Sequence, residues 1–174
     1  MYNLKKVFAI VVISILPTLS YAQKCSLDVD ETDAFTKEHV KSGTNAVGGV
    51  LWHWKLTLRQ SGTKYGWEMQ IKYGKHFQDD FKKGDIVYCK LAGDKVVKLI
   101  ADNNYSPTHT LASDGFMTST YLPKGEMTQE DMKAFAESPL SEMRVTLSGI
   151  ALEPNISSKQ GNALQNIAQC ILKP

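Results

Sequence analysis

The sequence predicts an α+β domain: a twisted antiparallel sheet of about six to eight strands carrying two helices, with a β-sandwich bearing peripheral helices as the alternative. Three observations support this. Two neighbouring runs, 50–58 and 65–73, alternate apolar and polar residues with period two. A second pair of apolar runs flanks Ala92-Gly93-Asp94. Two later segments carry helix start signals followed by apolar stripes at helical spacing.

Residues 1–22 have the features of an export signal. Lys5 and Lys6 form a cationic start, Val7 to Leu16 is uncharged and apolar, and Pro17 ends the run. Ser20 and Ala22 then place small residues at the −3 and −1 positions that a signal peptidase requires. The apolar run is too short to span a bilayer, which takes roughly 20 residues. Cleavage after Ala22 is expected to leave residues 23–174 as a single α+β domain, periplasmic or secreted, with no transmembrane segment. Lys24 argues against a lipid anchor on Cys25, because lipoprotein processing wants small uncharged residues there.

The 174-residue chain has 20 Lys+Arg and 18 Asp+Glu. Lys5 and Lys6 leave with the signal, so the mature chain has 18 of each and no net formal charge. That balance argues against nucleic acid as a partner, since displacing phosphate counterions takes a cationic surplus. The cysteines number three: Cys25, Cys89 and Cys170. An odd count in an oxidising compartment allows one intrachain bridge. Cys25 and Cys170, near the two mature ends, are the candidate pair, although sequence alone cannot fix the connectivity. Cys89 lies in an apolar run, where a thiol acts as a small hydrophobe.

Along the chain, 25–30 is expected to be a strand, and 35–44 fits either strand or loop. Within the first hairpin, Val50, Trp52, Trp54, Leu56 and Leu58 share a face with Tyr65, Trp67, Met69, Ile71 and Tyr73. A turn at Ser61-Gly62 would pair Leu58 with Tyr65, Leu56 with Trp67, Trp54 with Met69 and Trp52 with Ile71, and set Lys55 against Glu68. The second hairpin joins 85–91 to 95–101. Apolar residues on both its faces suggest strands covered on both sides. Residues 102–125 are rich in Asn, Ser, Thr, Pro and Gly, and read as a long loop leading into one strand near 116–122. Thr128 is a good N-cap, with acidic Asp131 at N3 and Met127 and Met132 spaced as a hydrophobic staple; Pro139 ends that helix. Residues 144–152 alternate as a strand. Ser157 or Ser158 then caps a last helix striped by Leu164, Ile167, Ala168 and Ile171.

No residue is assigned to catalysis, to a cofactor or to a metal. Asp28, Asp30, Glu31 and Asp33 resemble part of a calcium loop, but the glycine and the terminal glutamate of that pattern are missing, and alternation with Leu27 and Val29 fits a strand with one charged face. There is no Cys-x-x-Cys or His-x-His for zinc. His109, Ser113 and Asp114 are the residue types of a hydrolase triad, yet a triad is defined by geometry and no G-x-S-x-G elbow is present. His39, His53 and His76 are isolated. The aromatic face with Trp52, Trp54 and Trp67 is expected to be core; exposed, it would be a stacking platform for sugars or a partner. Asn155-Ile156-Ser157 matches a short glycosylation sequon.

The order of parts resembles small exported bacterial envelope proteins of unknown function. The residues behind this are the acidic start after Cys25 running to Phe35-Thr36, Lys83-Gly84-Asp85 before an apolar hairpin, and the Met127-Thr128-Gln129-Glu130 helix start. A strand with Arg144 and a closing helix with Cys170 complete it. The resemblance implies export and an α+β domain, with no activity attached. The expected function is an exported, non-enzymatic binding or interaction module of the bacterial envelope, with an unknown protein or carbohydrate as ligand and no cofactor. The alternatives are a small secreted hydrolase, or an enzyme inhibitor or accessory protein, using the 102–125 loop.

Overall fold

Period-two patterning becomes two antiparallel sheets in the computed structural model, which describes residues 25–49, 54–75, 77–111, 115 and 117–174. Residues 1–22, expected to be an export signal, and Val50, Trp52, His53, His76, Ser113 and Asp114 lie outside the described residues. The larger sheet holds β1 (Val29–Thr32), β2 (His39–Val47), β3 (Trp54–Ser61), β4 (Lys64–Tyr73), β7 (Thr108–Leu111), β8 (Met117–Tyr121) and β9 (Lys124–Met127). Its order is β1-β2-β3-β4-β8-β7, with β9 also paired to β4. The smaller sheet, in order β11-β10-β5-β6, is built from β5 (Ile86–Leu91), β6 (Val96–Ile100), β10 (Leu140–Leu147) and β11 (Ile150–Leu152). Helices α1 (Gln129–Glu137) and α2 (Ser158–Leu172) complete an α+β architecture.

The first hairpin keeps its expected faces but not its register. Leu58 stands opposite Trp67 and Leu56 opposite Met69, while Lys55 faces Gln70 and Glu68 faces Thr57. The turn is Gly62-Thr63, not Ser61-Gly62. Gly62 has φ +56° and Thr63 no positive φ, which matches a type II′ turn with glycine at its first central position. A slip of one position in the turn moves every partner by two residues, so parity survives and the core face is unchanged. Trp54, Leu56, Leu58, Trp67, Met69 and Ile71 are all fully buried.

Other differences have local causes. The supposed single strand at 144–152 reverses at Ser148-Gly149, whose φ angles of +50° and +77° make a two-residue turn between β10 and β11. Residues 102–125 hold three strands, not one. β8 and β9 both pair with β4, at its two ends, and the Pro123 carbonyl between them accepts the Met69 amide at 2.8 Å. A proline interrupts such a line without leaving it, because it loses a donor but keeps its acceptor. The second hairpin closes through the three residues Ala92-Gly93-Asp94. Only one face of it is covered. Val87, Cys89, Leu91, Val97 and Leu99 are buried, whereas Tyr88, Val96 and Ile100 are exposed.

Both helices start as their caps dictate. The Thr128 side chain accepts the Asp131 amide and Asp131 reaches back to Thr128; Ser157 and Gln160 do the same for α2. Met132 and Phe135 of α1, and Leu164, Ile167, Ala168 and Ile171 of α2, face inward. Helix α2 lies against β2 and β3 of one sheet, β10 of the other, and α1. It therefore joins the two sheets over one core. Cys25 and Cys170 form a disulfide, with Cα atoms 5.5 Å apart, that ties the segment before β1 to the last turn of α2.

One glycine sets the distance between α2 and β10. A Cβ on Gly161 would lie 2.1 Å from the Leu140 carbonyl oxygen, a backbone atom that cannot swing aside. Alanine normally gains about 1 kcal/mol over glycine inside a helix. Overpacking against fixed backbone costs about 1–3 kcal/mol or more. Gly161→Ala should therefore lower stability despite the better helix former, seen as a lower urea midpoint. A midpoint at or above wild type would show that α2 is free to shift.

Candidate functional site

The structure does bring a histidine to a serine, but the serine is Ser119. His109 Nδ1 lies 3.2 Å from Ser119 Oγ across the β7–β8 pair. Ser119 is fully buried, and its hydroxyl donates to the Lys75 carbonyl at 2.8 Å and accepts the Phe77 amide at 2.9 Å. With its one proton given to Lys75, the hydroxyl can only accept from His109, so the imidazole is not placed to withdraw a proton from it. A nucleophile sealed from solvent cannot reach a substrate carbonyl either. The contact anchors Lys75 and Phe77 to β8.

The acidic start is structural in the same sense. Asp30 pairs with His39 at 2.7 Å across β1 and β2. Asp33 caps the β1–β2 turn: its Oδ1 accepts the amides of Phe35 at 2.8 Å and Thr36 at 2.6 Å and the Thr36 hydroxyl at 3.0 Å. Backbone bonds from Asp33 to Glu38 and from Lys37 to Asp33 close the loop, with Lys37 at φ +62°. Among the described residues no three His, Cys, Asp or Glu gather closely enough to hold a metal ion. At the tip of this stiff turn, Phe35 is 95% exposed.

Hydrogen bonds from the Thr36 and Phe35 amides hold the Asp33 carboxyl below the usual Asp range. A lowered folded value means that the turn's support is complete above the ordinary Asp range and lost as pH falls through the lowered value. The amide resonances of Phe35 and Thr36 should therefore titrate together, with a midpoint below that of a free aspartate. A midpoint at the free value would show that the carboxylate does not hold them.

A broad groove of about 690 Å³ lies on the solvent face of the smaller sheet. Strand register builds it. Tyr88 of β5 stands between Arg144 of β10 and Lys98 of β6, and Lys90 stands between Glu142 and Val96. The chain after β11, with Pro154, Asn155 and Ile156, forms the other wall. Arg144 is paired with Glu153, and Lys90 with Glu142 at 3.0 Å and Asp94 at 3.2 Å. The Glu142 and Asp94 carboxylates keep the Lys90 ammonium charged to a higher pH than usual. Val96, half exposed, and Tyr88 supply apolar surface between these charges. On the opposite side of β5, burial pushes the Cys89 thiol far above the ordinary cysteine range, which leaves it inert. A smaller hollow of about 400 Å³ lies beside the β3–β4 turn, between Gln60 and Gln129.

No family model matches the chain, and no curated protein or solved structure matches it either. The groove residues escaped the sequence reading. Apolar residues on both faces of 86–100 suggested a covered sheet. The cue that could have separated the two readings is the placing of Lys90, Lys98 and Arg144 beside Tyr88 and Val96 on one parity, which a doubly covered strand does not tolerate. Among the described residues no helix is long and apolar enough to cross a membrane.

Proposed function

We propose that this chain is an exported, non-enzymatic binding module of a bacterial envelope, and that the groove over β5, β6 and β10 is its recognition surface. The observation that carries this is the groove itself: a concave sheet face where Tyr88 and Val96 lie exposed among charges of both signs. Export is supported by the signal-like residues 1–22 and by the Cys25–Cys170 bridge, which suits an oxidising compartment. The balanced charge of the mature chain disfavours nucleic acid as ligand. Trp54 and Trp67 are buried, so within the groove Tyr88 is the one aromatic ring among the described residues on which a sugar could stack. An aromatic ring and a valine framed by salt bridges suit a protein segment better.

A photo-crosslinking residue installed at Val96 tests the reading in intact envelopes, with the same residue at exposed Lys133 on α1 as control. Discrete adducts at 96, absent at 133 and lost when Tyr88→Ala and Arg144→Glu are added, are expected. Equal adducts at both positions would overturn it.

A further inference from the structure

We infer that the groove holds an extended peptide segment by its main chain, adding it as a short strand to β10 at Met143. The inference rests on the groove being a recognition surface, and names its occupant.

Register decides which main-chain groups are open. In an antiparallel sheet each residue turns its N–H and C=O to one side, and the side alternates along the strand. The Leu91 amide donates to the Lys95 carbonyl at 2.8 Å and the Ala101 amide to the Asp85 carbonyl at 3.0 Å, so the odd residues of β5 bond to β6. Its even residues bond to β10, where Tyr88 meets Arg144 and Lys90 meets Glu142. The Lys90 carbonyl, accepting the Ser141 hydroxyl at 2.9 Å, points the same way. Met143, Val145 and Leu147 therefore turn their main-chain groups away from β5. Val145 and Leu147 find partners in Leu152 and Ile150 of β11. The next rung belongs to Met143, and the residue that would complete it is Pro154. Proline has no N–H to give the Met143 carbonyl, and β11 ends before it. Neither the Met143 N–H nor its carbonyl has a hydrogen bond to a described residue.

Met143 is 2% exposed and its side chain lies in the core, so what it turns to the groove is main chain. A buried N–H and C=O left open together are costly and rare. Their complement is the N–H and C=O of one residue on an extended chain, the pairing by which a strand adds to a sheet edge. Charge does not make the choice. Arg144 and Glu142, on either side of Met143, are already paired with Glu153 and Lys90. The groove's volume of about 690 Å³ lies within the roughly 300–1,000 Å³ of sites that enclose small ligands, which leaves room for a short segment.

The probe is a linear heptapeptide, selected by phage display on the mature, disulfide-bonded protein and then synthesised with one backbone amide at a time N-methylated. In the free protein the Met143 amide should exchange with solvent roughly tenfold faster than the Val145 amide, as expected for a donor without a partner. The selected peptide should slow that exchange and bind equally well at low and high salt. Methylation at the residue opposite Met143 should weaken binding roughly tenfold, and methylation of its immediate neighbours much less. Pro154→Val supplies the missing N–H and lets β11 complete the rung, so it should protect the Met143 amide and abolish peptide binding. The inference is overturned by a library that yields no binder, by a binder indifferent to every methylation, or by a Met143 amide as protected as Val145 in the free protein. A folded Pro154→Val protein that binds as wild type does overturns it too. Should that variant not fold, the methylated peptides decide alone. If these arms fail while Val96 still gives its Tyr88-dependent adducts, strand addition is wrong and the groove reading stands; if the adducts fail as well, both fall.

Discussion

Replacing Cys25 and Cys170 together by serine should destabilise the protein by about 2–5 kcal/mol, seen as a lower denaturant midpoint. The bridge spans a sequence separation of 145, so nearly all of the described residues lie inside the loop it closes. In the chain-entropy account a loop of that length sits near the upper end of the range, since the restriction on the unfolded chain grows with the logarithm of loop size. The neighbourhood adds a native-state contribution. Lys41, buried on β2, donates its ammonium to the Lys173 carbonyl at 2.5 Å, just beyond α2, and the Lys173 ammonium reaches Cys25 Sγ at 3.4 Å. Losing the bridge loosens the end of α2 and weakens the contact that keeps Lys41 solvated by protein. Cys89→Ala is the control, because that thiol is buried in the core and unpaired with either cysteine. A double variant with an unchanged midpoint would show that the native protein does not depend on the bridge.

What was legible in the sequence follows from how local each signal is. Helix caps are local: Thr128 with Asp131 and Ser157 with Gln160 act within four residues, and both sit at the observed helix starts. Strand parity is nearly as local, so the buried faces of β3 and β4 could be assigned without knowing their partners. Register depends on one turn dihedral. Glycine fits either central position of a two-residue turn, and composition cannot say which, so the partners moved by two. Alternation concealed the reversal at Ser148-Gly149, because a two-residue type I′ turn leaves the parity of apolar positions undisturbed on either side. The groove was the least legible part. It depends on which face of β5 and β6 the helices and the other sheet leave uncovered, a tertiary arrangement for which residues 86–100 offer only the shared parity of Lys90 and Lys98 as a cue.

The tryptophans of the first hairpin give the largest single-residue effect. Trp54 and Trp67 are both fully buried, on β3 and β4. Alanine at either position should cost about 3–5 kcal/mol, because the lost ring leaves a void that close-packed neighbours only partly fill. Phenylalanine separates the two sites. The Trp54 indole donates to the Lys72 carbonyl at 3.1 Å, whereas Trp67 Nε1 is buried without a hydrogen-bond partner among the described residues. Nε1 of Trp67 faces Gly125 on β9, where even a methyl group would lie within 2.9 Å of it and within 2.2 Å of the Ile100 carbonyl oxygen. That glycine lets β9 approach β6, and the same closeness leaves no room for a polar partner to the indole. Trp54→Phe therefore gives up a hydrogen bond worth about 0.5–1.5 kcal/mol in addition to packing, and Trp67→Phe gives up packing alone while removing a buried unpaired donor. Chemical denaturation should find Trp67→Phe the milder change of the two, with both alanine variants far below either. A Trp67→Ala protein that unfolds at the wild-type midpoint would mean that the indole is not part of the core. Equal losses for the two phenylalanine variants would mean that the Trp54–Lys72 bond contributes nothing net.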